Sequence, residues 1–336
     1  TETDRKMNIK GEEINGSHTA TEFVAWYNGH PNYQNKEFNL DGEHAIIIGQ
    51  GNVAVDVTRI LAKSNDELKT TDITDNALKK LNDSNIKNIY MIGRRGAAQA
   101  AFTELEIKEL GNIENVDLII NDFNITKNDE IEIEESNKKK KNIALLETFN
   151  ENTKQPNSKK TIHIHFLSSP IEIIEENGKV SKVRFSKNKL SGEPNNQKAI
   201  ATDDYFELPC DILFRSIGYH GIELEGVPFN INKGVIPNIE GQVTSLDGTI
   251  IPNLFVTGWI KRGPSGVIGT NRSDSIETVS HCLKSISQSH IKNNEDITAL
   301  LSEKKIPYIT YEQWKIIDAH EIESGKKIGK PREKIT

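Results

Sequence analysis

The stretch His44-Ala-Ile-Ile-Ile-Gly-Gln-Gly-Asn-Val-Ala-Val-Asp-Val-Thr-Arg-Ile-Leu61 changes its period halfway. His44 to Ile48 form a short apolar run rich in β-branched residues, as a strand buried on both faces requires. From Val53 on, Val53, Val57, Ile60 and Leu61 recur at helical spacing, which predicts a helix to about Lys63. Between the two lies Gly49-Gln50-Gly51-Asn52-Val53-Ala54. Gly49 permits a tight turn, and Gly51 lets the backbone approach a pyrophosphate. Ala54, in place of a third glycine, still lets helix and strand pack closely. The N–H groups at the helix start would then hold the anion. Taken alone, such a pattern is also met in ordinary glycine-bearing turns; its place between strand and helix gives it weight.

The flanking sequence extends the unit. Asn88 to Ile92 read as a second buried strand, ending in Gly93-Arg94-Arg95-Gly96, and Phe102 to Leu110 read as helix. Residues 64–85 are a polar insertion with a helix at Asp75 to Leu81. This strand–helix–strand order starts an α/β, doubly wound, Rossmann-like sheet. Where an NAD site ends its second strand in an acidic residue, this chain has two arginines. Paired guanidinium groups suit a 2′-phosphate, so Arg94 and Arg95 point to NADP.

The middle of the chain changes character. Residues 124–160 are rich in Asn, Lys and Glu, and the basic run Lys138 to Lys141 leads into a helix at Asn142 to Phe149. Ile162 to Phe166, Ile171 to Ile174 and Val180 to Phe185 read as strands, the last two joined by an Asn177-Gly178 turn. Antiparallel hairpins are therefore inserted into the α/β unit, which returns to a buried strand at Asp211 to Phe214. Residues 222–250 are loops and short strands, followed by a helix from about Ser273 to Gln288 and a short helix in the tail. The division expected is 1–220 and 221–336.

Composition removes several function classes. In 336 residues the formal net charge is −7, so nucleic acid is not the default partner. No apolar run approaches the length of a membrane span. Cys210 and Cys282 stand far apart, which disfavours a disulfide framework or a cysteine-ligated metal. His163 and His165 share one strand face, but with no third ligand at suitable spacing they read as ordinary strand histidines. No metal site is expected.

A second glycine-rich stretch, Leu254 to Thr270, carries Gly258, Gly263, Gly266 and Gly269 with Pro264 and Lys261-Arg262. Such density marks a chain that bends sharply or lies close against something. Five segments occur together: Ser17 to Asn28, Gly49 to Asp56, Gly93 to Gly96 with Gln99 to Phe102, Arg215 to Tyr219, and Gly258 to Ile268. In this order the chain resembles the adrenodoxin-reductase type of ferredoxin–NADP+ reductase, a flavoprotein with FAD- and NADP-binding domains.

The resemblance implies FAD and NADP as cofactors. Trp259 would lie beside the flavin ring, with Gly266, Val267 and Ile268 against it and Gly266 also near the nicotinamide. Val53 falls at a position that contacts NADP, and Glu106 at one near the nicotinamide ribose; without the resemblance Glu106 reads as an exposed helix carboxylate. The implied reaction passes electrons between NADPH and a ferredoxin-type iron–sulfur protein, with no side chain as nucleophile or obligatory acid. Ferredoxins are acidic, so Lys108, Lys138, Lys139, Lys140 and Lys141, with Lys261-Arg262, are candidate docking residues; the Lys138 run reads equally as a solvated face. The compartment expected is the cytoplasm, or the mitochondrial matrix side in a eukaryote.

The family also carries a first glycine motif for the FAD pyrophosphate. This chain shows no second such motif, and residues 1–16 resemble the segment that follows it. The expected correspondence is the NADP domain plus the C-terminal part of the FAD domain. This stretch alone is then expected to hold FAD weakly and to expose an apolar face. Two other readings stay open: a redox-silent NADP-binding module or subunit of a larger complex, and a glutamate-synthase small-subunit-like oxidoreductase.

Overall fold

After a two-residue strand, β1 (Thr3–Asp4), the chain builds a six-stranded parallel sheet. Its strands are β2 (Ser17–Thr19), β3 (His44–Ile48), β4 (Asn88–Ile92), β5 (Val116–Asn121), β6 (Lys160–His165) and β10 (Ile212–Arg215), in the spatial order β2-β10-β3-β4-β6-β5. This computed structural model describes residues 3–151, 158–265, 268–288 and 296–335.

Strand alternation decides what covers each face. Ala45, Ile47, Ile89, Met91, Ile162, Ile164, Ile212 and Phe214 point into one buried cluster. There they meet α1 (Ala20–Tyr27), α2 (Asn52–Ala62), α3 (Asn65–Leu68), α4 (Asp75–Asn82), α5 (Glu104–Leu110) and α7 (Asn137–Glu151). The intervening Ile46, Ile48, Tyr90, Ile92 and Leu213 point the other way, into a second cluster with Ile173, Val180, Val183 and Phe185. Those partners come from a three-stranded antiparallel sheet of β7 (Ser168–Glu176), β8 (Lys179–Ser191) and β9 (Lys198–Pro209). The inserted hairpins are thus the layer on the second face of the parallel sheet. Each aliphatic side chain fully buried there contributes about 1.5–3 kcal/mol.

The strands and helices at residues 44–62 and 75–92 fall where the periodicity puts them. Other elements differ. Ser17–Thr19 is an edge strand of the parallel sheet, and Phe23 and Trp26 of α1 are core residues, so this segment is an integral part of the domain. The lysine run lies inside α7, which begins at Asn137. It is preceded by α6 (Lys127–Glu134), which charge-rich composition hides. A capping box announces that helix: Thr126 Oγ1 accepts from Asp129 N–H, and the Asp129 carboxylate accepts from Thr126 N–H. The tail helix, α11 (Tyr311–Lys327), is long rather than short.

Two compact units emerge, Lys6–Ile217 with Ile316–Thr336, and Thr1–Arg5 with Gly218–Lys315. The end of the chain belongs with the larger unit because Lys330, 6% exposed, donates to Ile73 O at 3.2 Å and pairs with Asp75 and Glu333. The chain start belongs with the smaller unit because Thr3 and Asp4 pair with Tyr219–His220 (β11).

The smaller unit has a core of Phe229, Ile236, Val243 and Val256. It contains a sheet of β12 (Asn238–Ile239), β13 (Gln242–Thr244) and β14 (Ile250–Phe255), then α8 (Trp259–Arg262), α9 (Ile268–Gln288) and α10 (Ile297–Glu303).

Candidate nucleotide-binding site

The site is built at the C-terminal ends of two adjacent parallel strands, β3 and β4, where ligands of open α/β sheets bind. Gly49 leaves β3 with φ +132°, and a Cβ there would overlap the carbonyl oxygen of Ser216. Its N–H donates to Ile92 O at 2.8 Å. Gly51 is the N-cap of α2, extended at φ −102°, with no side-chain cap, and a Cβ there would meet nothing within 4 Å. Bare backbone and the uncapped first turn of a helix suit a phosphate.

Gln50, largely buried, ties this turn to its surroundings. Its carbonyl accepts from Ala101 and Phe102 N–H at 2.9 and 3.0 Å, and its Nε2 donates to His165 O at 2.9 Å. Its amide lies against Gly93, where a Cβ would overlap it. Asn52 Oδ1 accepts from Thr103 N–H at 2.8 Å, which fixes the loop entering α5. Val53, in the first turn of α2, is partly buried.

The arginine turn follows β4 directly. Arg94 and Arg95 are both exposed, and the Arg95 guanidinium is lowered from its ordinary value by desolvation and then by the neighbouring Arg94 charge. A bound dianion would relieve that repulsion. Glu106 on α5 lies 3.5 Å from Arg59 Nη1, and the same arginine also pairs with Asp56 and Glu109. Burial, opposed by Arg59 and reinforced by Glu106 and Glu109, pushes the Asp56 carboxyl up to about 6.

His163 and His165 share the face of Tyr90, whose ring stacks on His163 at 4.7 Å. Burial, then the charge of His163, lowers His165 to about 4. Among the described residues no group of three His, Cys, Asp or Glu is disposed to hold a metal. Among them, too, no helix is long and apolar enough to cross a membrane.

In the smaller unit, Gly258 has φ +79° and its N–H donates to Asp274 Oδ2 at 2.6 Å. Trp259 stacks on Tyr219 at 5.5 Å, and its indole Nε1 is buried with no hydrogen-bond partner. An orphaned donor beside Gly258 and Gly263, where added Cβ atoms would meet open space, suits a flat ring bearing acceptors. Gly266 and Val267 lie outside the described residues, as does the side chain of Ile268, the first residue of α9.

Lys261 and Arg262 do not form a docking patch. Lys261 is 8% exposed and pairs with Asp274 at 3.0 Å and Glu277 at 2.5 Å. Arg262 binds Ser265 and Asn271. Both cations hold the glycine turn to α9.

No protein-family model matches the chain. Curated relatives do. NADPH-ferredoxin reductase FprA of Mycobacterium leprae is 37% identical over 342 residues, covering 99% of this chain and 74% of that protein. The chain belongs to the NADPH-ferredoxin and NADPH:adrenodoxin reductase family. The mitochondrial NADPH:adrenodoxin oxidoreductase of Arabidopsis thaliana is 37% identical, covering 99% of this chain and 73% of the relative. The human enzyme of that name is 35% identical, with 99% and 70% covered. The solved structure of Mycobacterium tuberculosis FprA in complex with NADPH superposes with a TM-score of 0.88 at 36% identity, covering 99% of this chain and 74% of that one. The reductase family therefore accounts for the α/β sheet with inserted hairpins described above.

Proposed function

We propose that this reductase-family chain transfers electrons between NADPH and a ferredoxin-type iron–sulfur protein through FAD. The observation that carries the reading is the match to named NADPH-dependent ferredoxin and adrenodoxin reductases over 99% of the chain. The turn at β3 and β4 supports it independently, because its chemistry fits a dinucleotide with a 2′-phosphate.

In this reading the larger unit is the NADP domain. Gly49, Gln50, Gly51, Asn52 and Val53 seat the diphosphate, with Gly51 giving it access to the helix N-terminus. Arg94 and Arg95 bind the 2′-phosphate, and Glu106 stands near the nicotinamide ribose. The smaller unit supplies part of the FAD seat, with Trp259, Gly266, Val267 and Ile268 against the ring. FAD, when bound, takes two electrons as a hydride and releases them singly. The protein's contribution is to bind, orient and exclude water, so no nucleophile or acid is assigned.

The docking face for the acidic partner is placed on Lys108, Lys138, Lys139, Lys140 and Lys141. Lys138 Nζ donates to Ala101 O at 3.0 Å, Lys139 pairs with the buried Glu132 at 2.5 Å, and Lys141 with Glu104 at 2.8 Å. Lys108, Lys138 and Lys140 have no ion-pair partner among the described residues, so they carry the free positive charge of this group. The compartment proposed is the cytoplasm, or the mitochondrial matrix side in a eukaryote.

The test is ferredoxin reduction by NADPH in the presence of FAD, over a range of salt concentrations. The reading expects reduction with NADPH, little with NADH, and a rate that falls steeply with salt. No protein-dependent reduction sinks the reductase reading, and a salt-independent rate sinks the basic docking face alone.

A further inference from the structure

The arginine turn is held from behind by residues far outside the nucleotide motif. Gly93 N–H donates to His165 O at 2.8 Å, and Ser168 N–H donates to Gly93 O at 2.9 Å. Leu167 N–H donates to Arg95 O at 3.0 Å. The Arg94 carbonyl is taken by a side chain: Asn188 Nδ2 donates to it at 2.8 Å. Three successive carbonyls at the end of β4 are therefore tied down.

Two irregularities make that clamp. β8 shifts register against β9 between Ser186 and Asn188, a bulge that re-aims the strand's side chains. Asn188 is 7% exposed; its Nδ2 also donates to Ser169 Oγ at 2.8 Å, and its N–H donates to Leu167 O at 2.7 Å. Leu167 itself has φ +50°, a left-handed conformation that a branched side chain rarely adopts. Such strain persists only where the surroundings over-determine it, and here they are the two bonds Leu167 makes to Arg95 and Asn188.

We propose that Asn188 is a positioning residue for nucleotide selectivity: its buried amide fixes the Arg94 carbonyl, and so the direction in which Arg94 and Arg95 present their guanidinium groups to a 2′-phosphate. This rests on the reading of the arginine pair given above. Asn188 touches no nucleotide. It acts through the backbone, and a backbone freed there loses the geometry of a forked, charge-assisted contact more than its charge. The prediction separates it from a general structural role, because NADP+ and NAD+ differ only at the 2′-phosphate.

The experiment is calorimetric titration of the full chain with NADP+ and with NAD+, for wild type, Asn188→Asp and the double variant Arg94→Ala with Arg95→Ala. Asn188→Asp keeps the shape and removes the donor but adds a charge, so Asn188→Ala, which removes the donor without one, is titrated beside it and must show the same direction of change. Asn188→Asp is expected to lower the ratio of NADP+ to NAD+ affinity by roughly tenfold, the worth of one buried hydrogen bond, with NAD+ binding unchanged. Equal loss for both nucleotides, or an unchanged ratio while the double variant abolishes the preference, overturns the role of Asn188 and leaves the arginine reading standing. A wild type without preference for NADP+ overturns both. Should Asn188→Asp fail to give a cooperative thermal transition, Asn188→Ala alone is judged by the same ratio.

Discussion

Arg94 and Arg95 follow β4 as two exposed like charges, and their proposed use rests on that position. Replacing either with Ala is expected to weaken NADP+ binding by about 10- to 100-fold, the range for charge-assisted hydrogen bonds, with little change for NAD+. Equilibrium titration of both nucleotides checks this. The buried histidines give a second prediction at this scale. His165 and His18 are held near 4 in the folded chain, each first by burial, against an ordinary 6.5. Between those values the unfolded chain binds more protons at these two sites, so their contribution to stability is full above pH 6.5 and is lost as pH drops toward about 4. His165→Phe, which keeps a ring beside Phe206, is expected to flatten that slope in denaturant titrations at pH 7 and pH 5. That two arginines stand in a turn directly after a buried strand was legible in the sequence, because strand, turn and charge are consecutive. Asn188 was not, because its partner is 94 residues away. Glu106 was legible only as a helix carboxylate; its pairing with Arg59 depends on how α5 packs on α2.

At the level of elements, the turn between β3 and α2 separates folding from binding. Gly49→Ala forces a left-handed-region backbone and a clash with Ser216 O, and is expected to cost about 1–3 kcal/mol of stability. Gly51→Ala meets open space at an ordinary φ and is expected to leave the melting temperature nearly unchanged while weakening NADP+ binding. Melting and titration on the same two proteins decide it; equal effects of both substitutions on stability contradict the assignment. Helix α7 divides in the same way. Lys139 neutralises Glu132, a 1% exposed carboxylate that burial pushes up but hydrogen bonds from Lys139, Gln197 and Gln99 hold down at about 2. Lys139→Ala is expected to destabilise by about 1–3 kcal/mol. Lys140→Glu is expected to leave stability alone and to slow ferredoxin reduction at low salt, as stopped-flow mixing would show. Strands and helices with clean periodicity, such as His44–Ile48 and Asp75–Asn82, were readable locally. Helix α6 was not, because its polar composition gives little amphipathic contrast and its buried residues, Asp129 and Glu132, are charged.

For the molecule as a whole, the two units differ in how they hide apolar surface. The outer face of α9 carries Ile276, Val279, Leu283 and Ile286 at helical spacing, each at least 54% exposed. An apolar stripe of that kind promotes association, so the chain is expected to sediment as concentration-dependent oligomers. Ile276→Lys with Leu283→Lys is expected to shift it toward monomer, and a clean wild-type monomer at high concentration contradicts this. The layering of the larger unit was largely legible, since the Asn177-Gly178 turn announces the hairpins that cover the second face of the sheet. The return of residues 316–336 to that unit was not, because it rests on the buried Lys330 and its partners near residue 73. Electron transfer from NADPH to FAD on this chain is the step on which the proposed function depends. It is tested most directly by an anaerobic visible spectrum of the protein with excess FAD, followed during addition of NADPH and, separately, NADH. NADPH is expected to bleach the flavin band far faster with the protein than without it, and NADH to do so weakly. A flavin spectrum that bleaches no faster with the protein present would contradict it.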